Sequence, residues 1–404
     1  MMRILVKILP VSAVRPTLAS VYTPRNQVQL VEGGRSYFDR LLELIGQAQH
    51  TLHFQTYIFD ADETGLEVAT ALEAAASRGV AVFLLLDGYA SQSLPVTFIT
   101  KLKAVGIRHR WFEPLLRGKS YYFGRRLHHK VVVADARMAL VGGINISNRY
   151  NDLPDAPAWL DWALDVRGEA ALQLDHLCFK LWNKSSLRRS RPIAPVVQSQ
   201  QVEDVPECLV RVRRNDWVNR RVDISRSYLE MLRRAEKEII IMSSYFLPGR
   251  LFRTALQRTI RRGVDIKIII AGTSDIKIAK AAERYWYPWL LKQGIRIYEY
   301  EPRVLHGKLS VYDEKWVTVG SYNINNISAY ASIELNLDVL NNAFGSSTRE
   351  KLIKIIRENC TEITPERFAR RRNLFTQFID WFSYEFYRAI VFLFTFYFRQ
   401  RKKE

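Results

Sequence analysis

Apolar positions recur at helical spacing through RSYFDRLLELIGQAQ, residues 35–49, and give way to the β-rich run TLHFQTYI, residues 51–58. An amphipathic helix followed by a strand is the reading. The same order returns in RSYLEMLRRAEKEIIIMSSYF, residues 226–246, with a tyrosine step closing each copy. In both copies a further helix ends at Arg-Gly-Val (78–80 and 262–264) before an apolar run, VAVFLLLD or VDIKIIIA, suited to a buried strand. The next helix ends at Gly-Ile-Arg in each copy, at 106–108 and 294–296. The chain therefore repeats itself, and each later signal is read twice.

Helices alternating with strands in two copies predict the α/β class: two tandem domains, each a mixed sheet flanked by helices. The predicted organisation is an N-terminal arm (1–29), a first domain (30–185), a polar, proline-containing linker (186–207), a second domain (208–360) and a tail (361–404). At 404 residues and 48% hydrophobic content the chain can bury a sizeable core. Sixty Lys and Arg against 41 Asp and Glu leave a formal charge of +19, which favours an anionic partner, nucleic acid or anionic lipid. Cys178, Cys208 and Cys360 are far apart and show no Cys-x-x-Cys spacing, so neither a disulfide framework nor a zinc site is indicated. Pro10 and Pro16 interrupt the short apolar runs near the start, and no secretory segment is evident there.

The tail is densely aromatic from Phe375 to Phe398, but its longest uncharged run, Ala389 to Phe398, falls well short of the roughly 20 residues that cross a bilayer. Flanked by Arg370–Arg372 and by the terminal basic run, it reads as a helix lying on an anionic membrane surface, the alternative being a helix packed on its own core or on another subunit.

The chemistry lies in LHHKVVVADARMALVGGIN and LHGKLSVYDEKWVTVGSYN. His128, Lys130, Asp135, Gly142 and Asn145 correspond to His306, Lys308, Asp313, Gly320 and Asn323 at one common offset. On a strand, residues i and i+2 share a face, so each histidine projects with its lysine. That suits a phosphate: the imidazole attacks or protonates, the ammonium neutralises phosphoryl oxygens, and the asparagine amide can donate a further hydrogen bond. Displacement at phosphorus by a side-chain nucleophile also needs an acid for the leaving alkoxide, so neither half suffices. If the halves pack about a pseudo-twofold axis, the two histidines flank one phosphorus, and the site calls for no metal or cofactor. Asp135 and Asp313 are taken with the catalytic residues, with turn capping after the strand as the other reading.

These residues form the His-x-Lys-x4-Asp signature of the phospholipase D superfamily in both required copies, and the chain resembles that superfamily over nearly its whole length. The resemblance is particularly to bacterial cardiolipin synthases of the shorter B type, carried by QTYIFDADETG, RGVAVFLLLDGYAS, SSYFLPG and the two motifs. It implies two phospholipase D-like domains with the active site at their interface. The implied reaction is a ping-pong phosphatidyl transfer through a phosphohistidine, with His128 as nucleophile and His306 transferring protons. It also implies that Asp161 and Glu334 each orient the histidine of the other half. Phospholipids such as phosphatidylglycerol, with phosphatidylethanolamine as a further candidate, are then the substrates, at the inner face of a bacterial cytoplasmic membrane to which the protein binds peripherally. The chain departs from the family where Asn325 stands in place of a frequent Asp.

An insertion, LLRGKSYYFGRRL, precedes the first motif and interleaves Arg117, Lys119, Arg125 and Arg126 with Tyr121, Tyr122 and Phe123, a composition for gripping lipid headgroups or stacking single-stranded nucleic acid. Alternative functions are a phospholipase D hydrolase releasing phosphatidic acid and a phospholipase D-like nuclease. Two fused copies with an apolar tail argue against nucleic acid, and four intact His and Lys positions argue against a scaffold without activity.

Overall fold

The structure is a computed structural model that describes residues 22–184 and 208–400, apart from 115, 118–119, 122–124, 331 and 371. The predicted linker and most of the predicted arm lie outside the described residues, as does part of the insertion.

The first half runs β1 (Asn26–Glu32), α1 (Arg35–Gln47), β2 (Thr51–Thr56), α2 (Glu63–Ser77), β3 (Ala81–Asp87), α3 (Val96–Ala104) and β4 (Arg108–Phe112). The short strands β5 (Leu116–Arg117), β6 (Ser120–Tyr121) and β7 (Arg126–Leu127) precede β8 (Lys130–Ala134), β9 (Met138–Gly142), β10 (Trp162–Gly168) and α4 (Glu169–Lys184). The second half opens with β11 (Leu209–Asp216), β12 (Arg221–Val222), α5 (Asp223–Arg234), β13 (Glu238–Ser243), α6 (Arg250–Ile260) and β14 (Asp265–Ala271). It continues with α7 (Lys277–Arg284), α8 (Tyr287–Lys292), β15 (Arg296–Tyr300), β16 (Lys308–Tyr312), β17 (Trp316–Gly320), α9 (Asn326–Tyr330) and β18 (Ser332–Leu340). It closes with α10 (Asn342–Asn359), β19 (Cys360–Ile363), α11 (Pro365–Arg370) and α12 (Leu374–Gln400).

Local chemistry explains these elements. In α1, Tyr37, Phe38, Leu41, Leu44 and Ile45 form one buried stripe, and α2 begins where Asp62 accepts the amide of Gly65 at 3.0 Å. β3 and β14 are buried along nearly their whole length because helices cover one face and other elements the opposite one.

Two mixed sheets result. The first has the order β1-β10-β9-β8-β2-β3-β4, with β2, β3 and β4 parallel, and the second the order β12-β11-β18-β17-β16-β13-β14-β15-β19. Their outer faces carry α1–α3 and α5, α6 and α8 respectively. Their inner faces share one apolar core, in which Val131, Val141 and Leu164 of the first half join Val311, Val319 and Leu337 of the second. The α/β class and the tandem arrangement are as predicted.

The boundaries shift at both ends. Residues 26–29 belong to β1, which pairs antiparallel with β10, and Thr23 bridges to Val210 of the second half. Residues 360–363 form β19 on the edge of the second sheet beside β15. Pairing with strands distant in the chain holds both.

In the tail, α12 does two things at once. Tyr384 stacks on Tyr285 at 4.6 Å, Asp380 pairs with Arg284 at 3.4 Å, and the Tyr387 hydroxyl accepts the amide of Asn326 at 2.9 Å, so one face is packed on the second half. Phe375, Phe378, Phe382 and Phe386 on another face remain exposed. Among the described residues no helix is long and apolar enough to cross a membrane.

Because the inner core belongs to both halves, the protein is expected to unfold in one cooperative transition. Urea titration followed by tryptophan fluorescence and by circular dichroism should give coincident curves, and residues 22–184 expressed alone should not fold. Two separated transitions would contradict the shared core.

Candidate active site

Each His-x-Lys pair leads into a central strand, β8 or β16, that neighbours the hairpin partner β9 or β17. The close packing here explains the glycines of the motifs. A Cβ on Gly142 would collide with the Trp162 carbonyl, and one on Gly320 with the Leu335 carbonyl.

The halves meet at the histidines in a reciprocal pattern. The backbone amide of His128 donates to the Ile333 carbonyl at 3.0 Å, and that of His306 to the Leu160 carbonyl at 2.8 Å. One residue further on, the Glu334 carboxylate lies 3.0 Å from His128 Nδ1 and the Asp161 carboxylate 2.6 Å from His306 Nδ1. Every one of these four contacts crosses from one half to the other, which is the signature of a pseudo-twofold axis. With Nδ1 engaged, each imidazole has Nε2 left for chemistry.

Both lysines are buried. Lys130 donates to the His128 carbonyl at 2.6 Å, while Lys308 donates to the Ser244 hydroxyl at 3.0 Å and to the His306 carbonyl. Burial lowers both ammonium groups, Lys130 to about 7 and Lys308 to about 8, against the opposing pull of Glu334 and Asp161. The histidines are also held low. His306 falls to about 4 through burial first and Lys308 second, opposed by Asp161, and His128 falls through burial, opposed by Glu334. Glu334 sits below the usual carboxylate range: burial raises it, but His128, Lys130 and the hydrogen bond from Ser321 outweigh that. Lys130 bears on His306 and Lys308 on His128, so the two pairs share one electrostatic site.

Asp135 and Asp313 are not brought to this site. The Asp135 carboxylate accepts the amides of Gln49, His50 and Thr51, each at 2.8 Å, and Asp313 those of Glu236, Lys237 and Glu238 at 2.8–3.0 Å. Both have positive φ, 52° and 47°, in the hairpin turn at the far end of the strand, about 20 Å along the chain from the histidine. Turn capping, the other reading of the sequence, is what they do. Asn145 is likewise occupied, its carbonyl oxygen accepting from Ile58 and its amide donating to the Tyr150 hydroxyl at 2.9 Å. Asn323 is buried at 5% exposure with its carbonyl oxygen unpartnered among the described residues.

Several groups at the site were missed in the sequence. The Tyr57 ring lies 4.8 Å from His128 and 5.2 Å from the Lys130 ammonium, and Tyr150 lies edge-on to His306 at 5.2 Å. Ser321 and Ser332 both donate to Glu334. Tyr57 was visible as a repeat marker, but its likeness to Tyr245 misleads. Gln55 pairs with Val131 and Met242 with Leu309, so Ser244, not Tyr245, occupies the place of Tyr57.

The insertion contributes less free charge than its composition suggests. Arg125 pairs with Asp216 at 2.6 Å, and Arg126 approaches Asp87 and donates to the Glu113 carbonyl. The side chains of residues 115–124 lie outside the described residues.

A family described as "Cardiolipin synthase, PLD-like domain" matches residues 41–155 and 228–356, one segment for each half. Cardiolipin synthase B of Escherichia coli (strain K12) is 36% identical over 351 residues, covering 86% of this chain and 84% of that protein. The chain belongs to the phospholipase D-like cardiolipin synthase family. A second relative in this family, the cardiolipin synthase of Clostridium perfringens (strain 13 / Type A), is 29% identical over 87% of this chain and 75% of its own. The fold is shared with a phosphatidylserine synthase from Haemophilus influenzae Rd KW20, at a TM-score of 0.70 and 14% identity over 94% of this chain and 97% of that one. It is shared in part with a polyphosphate kinase from Porphyromonas gingivalis, at a TM-score of 0.56 and 16% identity over 84% of this chain and 49% of that one. Membership makes the chain an enzyme of the phospholipase D superfamily, with two phospholipase D-like domains.

Replacing Asp135 or Asp313 by Ala removes an acceptor from three backbone amides and leaves an unfavourable φ, so each variant should lose about 3 kcal/mol of stability. Denaturant midpoints measure this. A loss of activity with no change in stability would return these residues to the site.

Proposed function

We propose that the protein is a phosphatidyltransferase of the cardiolipin synthase kind, moving a phosphatidyl group between phospholipid alcohols through a phosphohistidine. The observation that carries the reading is the pair of imidazoles, each with Nδ1 held by a carboxylate of the other half and each beside a buried lysine.

The phosphodiester anion binds between Lys130 and Lys308. His128 Nε2 attacks phosphorus, the P–O bond to the headgroup breaks, and the alkoxide takes a proton from His306. The bound anion offsets the lysine charges and so raises the proton affinity of His306, allowing it to carry that proton. Glu334 stabilises the positive charge that develops on His128. In the second half-reaction an alcohol gives its proton to His306 as its oxygen attacks phosphorus, and the bonding pair returns to His128 Nε2. Side chains thus supply the nucleophile, the acid and the charge, and the cycle runs without a divalent metal.

Peripheral binding to an anionic membrane is assigned to α12. Its exposed phenylalanines, together with Trp381, enter the interfacial region, and the basic residues that flank the helix in the sequence, Arg370–Arg372 and the terminal run, favour anionic lipid. Ile276 and Ile278 at the start of α7, on which α12 packs, are exposed as well.

Purified protein incubated with phosphatidylglycerol in EDTA, with and without phosphatidylethanolamine, should form cardiolipin detectable by mass spectrometry. His128→Ala and His306→Ala should each lose about 10²–10⁴-fold. Phosphatidic acid as sole product would make the enzyme a hydrolase, and cleavage of single-stranded DNA without lipid turnover would overturn the lipid reading.

The pH profile follows from the lysines. Anion binding needs both protonated, so kcat/KM should fall as pH rises through about 7 to 8. His128, pushed below its ordinary value, stays neutral into the mildly acidic range. An alkaline limb lying only above pH 10 would contradict this electrostatic account.

Changing Phe378, Phe382 and Phe386 together to Ser should weaken binding to vesicles containing anionic lipid by more than tenfold, each ring contributing up to about 2 kcal/mol on burial. Vesicle sedimentation reads the effect, and unchanged circular dichroism shows that the fold persists.

A further inference from the structure

The two lysines of the site are held by unlike devices. On the second-half side the Lys308 ammonium has three partners within hydrogen-bond reach: the Ser244 hydroxyl at 3.0 Å, His306 Nδ1 at 2.9 Å and the His306 carbonyl. An ammonium has three N–H groups, so little of Lys308 is left over. On the first-half side Tyr57 stands in the place of Ser244, and its half-buried ring has its centroid 5.2 Å from the Lys130 ammonium and 4.8 Å from that of the His128 imidazole. Among the described residues Lys130 makes one hydrogen bond, to the His128 carbonyl at 2.6 Å. The ring is fixed by the backbone that carries it. Ser91, in the turn after β3, donates its hydroxyl to the Tyr57 carbonyl at 2.9 Å, and the amide of Ile58 donates to the Asn145 carbonyl oxygen at 3.1 Å. Asn145 thus acts on the site at one remove, by holding the end of β2 from which Tyr57 projects.

We propose that Tyr57 is a positioning residue: its π face holds Lys130 in the charged form and leaves two of the ammonium N–H groups for phosphoryl oxygens of the substrate. The inference rests on the reading in which a phosphodiester anion binds between the two lysines. An aromatic face attracts a cation within about 6 Å of its centroid, and the attraction strengthens where water is excluded. A hydroxyl in the same place, as at Ser244, takes up an N–H that the substrate could use. The charge of Lys130 needs support. Burial pushes its ammonium down to about 7 and Lys308 on β16 adds to that, while Glu334 on β18, Asp161 before β10 and Asp87 at the end of β3 oppose it. The ring adds to the opposing side without adding a negative charge that would repel the substrate phosphate.

The test is the pH dependence of kcat/KM for the full-length enzyme on phosphatidylglycerol vesicles. Three kinds of change are made at position 57: Tyr57→Phe, Tyr57→Leu, and replacement by phenylalanines carrying one, two or three ring fluorines, which drain the π face at nearly constant shape. Loss of the cation–π contact lowers the proton affinity of Lys130, so the charged form that binds the anion disappears at a lower pH. Tyr57→Phe should therefore keep the alkaline limb of the wild type, Tyr57→Leu should move it about one pH unit lower, and the fluorinated rings should move it lower in order of fluorine number. The fluorinated series keeps the test decisive if Tyr57→Leu fails to fold. A ring that served only as packing would leave the limb in place across that series, and this result would overturn the proposal. A limb displaced as far in Tyr57→Phe as in Tyr57→Leu would overturn it too, since the hydroxyl would then be responsible. A wild-type enzyme that turns over no phospholipid would instead overturn the phosphatidyl reading on which the inference rests.

Discussion

The structure depends on a carboxylate of each half reaching across to the imidazole of the other. A buried imidazole beside a buried ammonium has no reason to keep a fixed tautomer, and a buried carboxylate without a partner is costly. Joining Glu334 to His128 and Asp161 to His306 answers both problems, and only when the halves are docked. The adjacent backbone bonds, His128 to Ile333 and His306 to Leu160, add a second pair of crossings in the same register. Assembly of the fold and assembly of the chemistry are therefore one event, and the shared apolar core between the sheets supplies the driving force for it.

The same docking sets the electrostatics. Two lysines and two histidines lie within one desolvated site, and burial above all depresses the proton affinity of each, with a neighbouring lysine adding to it for His128, His306 and Lys130. An anion placed between the two lysines would be attracted by both ammonium groups. Arg125 and Arg126, which look like a basic lip in the sequence, are instead engaged by Asp216, Asp87 and the Glu113 carbonyl.

Much of the fold and the centre of the site were legible because duplication wrote them twice. The common offset between His128-Lys130 and His306-Lys308 identified the pair, and strand periodicity put each lysine beside its histidine. Spacing could not separate residues at one end of a strand from those at the other, so Asp135 and Asp313 were grouped with chemistry from which β8 and β16 hold them apart. Residue identity also misled. Two tyrosines in similar surroundings suggested an equivalence that a one-residue shift in register undoes, leaving Ser244 opposite Tyr57. Asp161 and Glu334 carried no internal signal, only family likeness. Tyr150 lies in a segment where the two copies differ. The edge strands β1 and β19 escaped because their partners lie far away in the chain.

The exchange of Tyr57 for Ser244 between otherwise matching places has a consequence that a true twofold assembly cannot have. Two identical subunits around one site would present identical surroundings on either side. Fusing the copies into one chain lifts that constraint. The aromatic side and the polar side have become unlike rooms, and the two histidines are free to diverge in what they do.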